Sequence, residues 1–193
     1  MDDLHQLFRV LQREEFEPKF HHLLVPRFNL LPRLQELLEF EKQEAATGRK
    51  ATIVLKMNAL QDTAMIDELY KASEAGVQID LIVRGICCLI PNQPYSRNIR
   101  ITRIVDGFLE HARVWYFHHG GKELVFFGSP DWMRRNLYRR IEAVTPVLDQ
   151  ALMICCTRST LEAKVATKIL VFLCSSNRLS KVRPTVFSEG VKP

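Results

Sequence analysis

Ala51-Thr-Ile-Val-Leu-Lys56 and Val77-Gln-Ile-Asp-Leu-Ile-Val83 frame the stretch that decides the fold. Each is a short run rich in β-branched residues, as buried strands are. Between them Asp62 is placed to cap a helix with apolar positions Met65, Ile66, Leu69 and Ala72, and Gly76 stands where helices close in the left-handed region. Strand, helix and strand predict a βαβ unit with parallel strands. In open α/β sheets ligands collect beyond the carboxyl ends of the strands, which is where Lys56, Asn58 and Arg84 fall. The alternative for Lys56 and Arg84 is a pair of solvated strand-end charges.

Upstream, Leu4, Leu7, Phe8 and Leu11 have the spacing of an amphipathic helix running to Glu15. After Pro18 and Pro26, Asn29 is a candidate N-cap for a second helix with the stripe Leu30, Leu34, Leu37 and Leu38. Downstream, Ile99-Arg-Ile-Thr-Arg-Ile-Val105 alternates like a half-exposed strand. Ala112–Phe117 and Leu124–Phe127 read as a hairpin around His118–Glu123. Trp115, Tyr116, Phe117, Phe126 and Phe127 read as its core. A short helical stretch at Trp132–Asn136, a strand within Arg140–Val147 and a helix from Asp149 to Cys174 complete an α/β domain.

With 193 residues, 47% apolar and 25% charged, the chain is sized and composed for one globular domain and not for a disordered one. The formal charge of +5 is unevenly placed. Arg84 to Arg140 contains nine Arg and one Lys against Asp106, Glu110, Glu123 and Asp131, so ten minus four gives +6; the remainder carries 17 minus 18, or −1. Arginine forks grip phosphate oxygens in pairs, so an anionic, phosphate-bearing ligand is expected. There is no apolar run near the ~20 residues of a membrane span and no secretory leader at Met1, so an intracellular chain is expected. Two vicinal cysteine pairs (Cys87, Cys88 and Cys155, Cys156) plus Cys174 fit neither a disulfide framework nor a CxxC zinc site. Reduced, mostly buried thiols are expected.

His111 and Arg113 share one face of a strand, because side chains alternate with a period of two. Gly128-Ser129 ends the partner strand, where Ser129 can offer a hydroxyl or backbone N–H to an oxyanion. The pattern, with Asp131, resembles the His-x-Lys and Gly-Ser-x-Asn signature of the phospholipase D superfamily. Arg113 stands for the lysine, Asp131 for the asparagine and His118 for the usual acid.

Further runs carry a closer resemblance. Phe20-His-His-Leu-Leu-Val-Pro-Arg-Phe-Asn-Leu30, Leu55-Lys-Met-Asn-Ala-Leu60, Ile79-Asp-Leu-Ile-Val-Arg-Gly-Ile-Cys-Cys-Leu-Ile-Pro91 and Phe108-Leu-Glu-His-Ala-Arg-Val114 are four of them. Gly128-Ser-Pro-Asp-Trp-Met-Arg-Arg-Asn-Leu137, Arg139-Arg-Ile-Glu142 and Asn177-Arg178 are the others. In this order they resemble the last domain of the long bacterial polyphosphate kinases. The resemblance implies a phospholipase D-like domain, a mixed β-sheet flanked by helices, over 20–178. Residues 1–19 would then end a preceding domain or linker, and 179–193 would be a tail.

It also implies reversible transfer of the terminal phosphate of ATP to polyphosphate, with Mg²⁺, through a phosphohistidine on a domain absent from this sequence. His111 matches the family's second essential histidine, a phosphate binder and acid–base partner with an ordinary pKa near ~6.5. Arg84 matches an arginine on the nucleotide phosphates. Arg113, Arg135, Arg139 and Arg140 match positions along an anionic tunnel, with Lys56, Asn58, Ser129 and Asn136 beside them, and Arg134 or Arg139 can equally face solvent. No residue is assigned as a metal ligand.

Trp132 and Met133 are expected to be core, and Asp131 to cap the following helix or else to orient an arginine. The partners implied are ATP or ADP, polyphosphate, the enzyme's other domains and, for the full-length enzyme, further copies of itself. The implied location is the cytoplasm, or the periphery of the inner membrane. A dimeric phosphodiesterase or nuclease and a non-catalytic polyanion-binding module are the alternatives; nucleic acid fits less well, because the aromatics read as core.

Overall fold

A computed structural model describes residues 2–14, 16–103, 111–149 and 152–153. The βαβ unit forms as its sequence dictates. β1 (Thr52–Met57) and β2 (Gln78–Val83) pair in parallel across α3 (Thr63–Glu74). Asp62 accepts a hydrogen bond from the Met65 N–H at 3.1 Å, capping α3, and Gly76 takes φ +103° to turn the chain into β2.

β3 (Ile99–Thr102) adds in parallel beside β2, and β4 (Arg113–Phe117), β5 (Leu124–Gly128) and β6 (Val144–Pro146) extend the other side as an antiparallel meander. The sheet order is β3-β2-β1-β4-β5-β6. Of the alternating stretch 99–105, Ile99–Thr102 pairs as a strand and residues 104 and 105 lie outside the described residues, while of the Arg140–Val147 stretch only Val144–Pro146 pairs as a strand.

One face of the sheet carries the main core. Ile53, Leu55 and Met57 of β1 meet Leu34, Leu37 and Leu38 of α2 (Leu30–Ala46), Met65 and Leu69 of α3, and Trp115 and Phe117 of β4. Asn29 stands at the start of α2, but its side chain does not cap the helix. Its Oδ1 accepts the Val25 N–H and its Nδ2 donates to the Leu23 carbonyl, so the amide organises the preceding turn. Glu41, fully buried, accepts backbone N–H groups from Thr52 and His119 and so fastens α2 to β1 and to the hairpin turn. The opposite sheet face holds a smaller cluster of Val54, Ile82, Val114, Tyr116, Val125 and Val147.

The stripe of α1 (Asp2–Leu11) is open, with Leu4, Phe8 and Leu11 more than half exposed. The helix docks through Asp3, whose carboxylate accepts the N–H groups of His21, His22 and Leu23. Contrary to expectation, Phe127 points away from the hairpin core at 38% exposure and Cys88 is exposed, while Cys87 is partly covered; Cys155, Cys156 and Cys174 lie outside the described residues. The predicted C-terminal helix lies outside the described residues except at Leu152 and Met153, where Asp149 caps the Leu152 N–H.

Gly128 shows how tightly β5 and β6 meet. A Cβ there would lie 2.5 Å from the Ala143 carbonyl oxygen and 2.8 Å from the Val144 Cα, both backbone atoms. Gly128→Ala should therefore cost about 2 kcal/mol through overpacking and lower the melting temperature by roughly 4–8 °C. An unchanged thermal melt would contradict this packing.

Candidate functional site

The topology brings one end of every central strand together. β1, β2 and β5 finish where β4 begins, so Asn58, Arg84 and Ser129 arrive beside His111 and Arg113. A cleft of about 560 Å³ opens there. Its walls include Asn58, Arg84, His111, Arg113, Ser129, Arg135, Asn136 and Arg140, together with Ile86, Met133 and Glu142. Of the tunnel and strand-end residues singled out in the sequence, Arg139 and Lys56 are not among them. Arg139 lines a separate hollow with Asp62, Arg134 and Tyr138. Lys56 is 4% exposed on the other sheet face, and its Nζ donates to the Ala112 carbonyl at 3.3 Å.

The floor is built on Asp131. Its Oδ1 accepts N–H groups from Asn58 (2.8 Å), Ala59 (3.2 Å) and the Arg113 Nε (3.2 Å), and its Oδ2 accepts from the Arg113 Nη2 (3.0 Å). This corrects the cap reading: α4 (Arg134–Tyr138) has no side-chain cap, and Asp131 serves the strand ends instead. Burial pushes the Asp131 carboxyl up, but Arg113 and the two backbone donors outweigh it and hold the group below the usual carboxylate range. Trp132 is fully buried, edge-to-face on Trp115 at 5.8 Å, and its carbonyl accepts from Gln61 and Asp62. Met133 lies against the cleft, not in the core, with its sulfur 3.9 Å from the Arg135 Nη2.

His111 is exposed, and its carbonyl accepts from the Arg113 Nη1 (3.0 Å) and, at 3.5 Å, from the Asn58 Nδ2. Partial burial, then the charges of Arg113 and Arg84, hold its imidazole below its ordinary pKa. The neutral form of the ring is therefore favoured. Arg84 follows β2 directly, its N–H bonded to the Met57 carbonyl and its own carbonyl accepting from the Arg103 Nε.

The Ser129 Oγ accepts the Ala143 N–H at 3.2 Å, which leaves its proton to be donated. The Asn136 amide donates to Glu142 at 2.7 Å, while its buried Oδ1 finds no partner among the described residues. Glu142 and Ile86 were not foreseen as lining residues; both occur in quoted motifs, but only the strand layout turns them to the cleft. Chemically, the site joins an imidazole, hydroxyl and amide donors and several guanidinium groups, a set suited to an anion with several oxygens.

A six-stranded mixed sheet flanked by helices, with its strand ends converging on an arginine-lined cleft, makes the chain an α/β domain with one candidate site at that edge. A family profile described as "Polyphosphate kinase C-terminal domain 2" matches residues 23–169. The chain is 48% identical over 147 residues to a polyphosphate kinase of Synechocystis sp., covering 76% of this chain and 20% of that protein. It is 47% identical over 152 residues to one of Paraburkholderia phytofirmans, covering 78% and 22%. The crystal structure of polyphosphate kinase from Porphyromonas gingivalis superposes with a TM-score of 0.76 at 50% identity, over 81% of this chain and 25% of that one. The chain belongs to the polyphosphate kinase C-terminal domain 2 family, and it spans about a fifth of the length of the curated relatives it matches.

Asp131→Asn removes the charge that pairs with Arg113 and should cost about 3 kcal/mol, as breaking buried ion pairs does. Because the folded-state pKa of Asp131 is depressed, its contribution is present above the unfolded value of ~3.9 and is lost as pH falls through the folded value. Denaturant titrations between neutral and strongly acid pH should show that component of acid destabilisation in the wild type and not in Asp131→Asn. Parallel curves for the two proteins would contradict it.

Proposed function

We propose that this chain supplies one half of a phosphoryl-transfer site, at which the terminal phosphate of ATP passes reversibly to polyphosphate. The carrying observation is the convergence of His111 with Arg84, Arg113, Arg135 and Arg140 on one cleft. Phosphoryl transfer asks chiefly for positioning and for neutralising the equatorial oxygens, and guanidinium forks provide both. Arg84 takes the nucleotide phosphates, and Arg135 and Arg140 steady the polyphosphate. Ser129 and Asn58 add directional donors. Arg113, tied to Asp131, acts as a fixed charge beside His111, and the buried Lys56 adds to the field from behind.

In this proposal His111 is the acid–base partner. In the free chain burial, then the charges of Arg113 and Arg84, favour its neutral form. An incoming phosphate cancels that repulsion and accepts a hydrogen bond from the ring, so the imidazole gains a proton as substrate binds. The proton then passes to the leaving phosphate oxygen as the terminal P–O bond breaks, and it returns in the reverse direction. The phosphate-accepting histidine belongs to another domain of the whole enzyme, and no residue here takes that role.

Mg²⁺ would arrive with the nucleotide and share its phosphate charge. Asp131 is engaged by Arg113, and among the described residues no group of three His, Cys, Asp or Glu gathers to hold an ion, so no metal ligand is assigned. Residues 1–19 are proposed to end a preceding domain, 20–178 to form this one and 179–193 a tail. The full-length enzyme is proposed to be a cytoplasmic homo-oligomer that can sit at the inner membrane. No helix among the described residues is long and apolar enough to cross a membrane.

An NMR titration of the histidine ring should give His111 a pKa below the ordinary histidine value in the free chain, rising when polyphosphate is added. Arg84→Gln should raise the free-chain value. A His111 pKa that polyphosphate does not move would overturn the acid–base role. Incubation with γ-labelled ATP should leave the chain unlabelled, and acid-labile phosphate on His111 would overturn the division of roles.

A further inference from the structure

Four arginines lie in or directly after the short helix α4, and the fold divides them between two hollows. Arg135 and Arg140 line the His111 cleft, whereas Arg134 and Arg139 line a separate hollow of about 370 Å³ with Asp62 and Tyr138. Elsewhere on the surface Arg9, Arg33, Arg49 and Arg100 each pair with a carboxylate, whereas Arg13, Arg27 and Arg97, which stand apart from one another, pair with none among the described residues. Around α4 the carboxylates are committed to other tasks. Glu142 takes the Asn136 amide, Asp131 holds Arg113, and Asp62 caps α3. Neither Arg134 nor Arg139 has a side-chain hydrogen bond or ion pair among the described residues. A cluster of guanidinium groups without counterions repels itself, and an external anion removes that repulsion.

We propose that Arg134 and Arg139 form a second polyphosphate subsite, outside the cleft, for the distal phosphates of a chain whose reacting end lies at His111. This rests on the reading of the cleft given above. Both hollows abut one helix, whose diameter with side chains is ~10–12 Å. A long polyphosphate can occupy both, whereas tripolyphosphate fills only the cleft. Tyr138 is 43% exposed and offers its hydroxyl to the same anion. Burial, then the nearby Asp62, hold that phenol above its ordinary pKa, so it remains a donor at neutral pH. The single negative charge of Asp62 opposes two arginines, so the hollow stays net positive.

The test compares tripolyphosphate and long-chain polyphosphate binding to the 193-residue chain by calorimetry at several salt concentrations. The double variant R134Q/R139Q should bind tripolyphosphate within about twofold of wild type and long-chain polyphosphate about fivefold to tenfold more weakly. Its salt slope for the long chain should fall by about 1.4, from ~0.7 for each of two lost phosphate contacts. R84Q should weaken both ligands. Equal long-chain affinity and salt slope in R134Q/R139Q and wild type would overturn the second subsite. If R84Q leaves tripolyphosphate binding unchanged, the cleft reading itself fails. Since Arg134 and Arg139 are exposed, R134Q/R139Q should keep the wild-type thermal melt; a melt lowered by more than a few degrees would show that these arginines are structural and overturn the subsite.

Discussion

The carboxylate of Asp131 is the constraint on which the site depends. It joins the end of β1, through the N–H groups of Asn58 and Ala59, to the beginning of β4, through Arg113, and both to the loop that leads into α4. Those segments are far apart in sequence and carry the cleft's working groups. With Asp131 in place, the Arg113 guanidinium is fixed and its remaining fork reaches the His111 carbonyl, so the imidazole is placed by a chain of hydrogen bonds from a buried anion. Trp132 next to it drives the same loop into the core against Trp115, which gives the polar arrangement an apolar foundation.

This arrangement also explains the uneven charge. Asp131 neutralises one arginine within a basic segment, and Glu142 is turned to Asn136, so most of the positive field is left for a ligand. Partial burial and the same field favour the neutral form of His111. In the proposed function, binding of a phosphate and protonation of the ring are thereby coupled in one small cleft. A lysine in place of Arg113 could balance Asp131 as a point charge, but it could not bind both carboxylate oxygens and the His111 carbonyl with one planar group.

Much of this was legible in the sequence, because the βαβ unit is written in local signals: β-branched runs, Asp62 as a cap and Gly76 at a left-handed position. Once the strands were parallel, Arg84 had to lie at the ligand-binding edge, and the two-residue spacing of His111 and Arg113 put both at one place. Other details were not legible, since they depend on contacts between distant segments. Asp131 precedes a helix and so resembles a cap, yet the nearer unsatisfied donors were the backbone N–H groups at the end of β1. Asn29 stands where a cap belongs but satisfies the turn before it. The stripe of α1 has helical spacing without a surface in this domain to cover it, and Lys56 has a strand-end position but the wrong face of the sheet. Periodicity reports which side a residue faces, not what stands opposite.

The central claim is that phosphates bind where β1, β2 and β5 end and β4 begins. Chemical-shift mapping of the chain during titration with tripolyphosphate tests it most directly. The account predicts saturable shifts concentrated at Arg84, His111, Arg113 and Ser129, which need a several-fold higher tripolyphosphate concentration in Arg84→Gln. Shifts centred on another face of the domain, or shifts at these residues that saturate at the same concentration in Arg84→Gln, would contradict it.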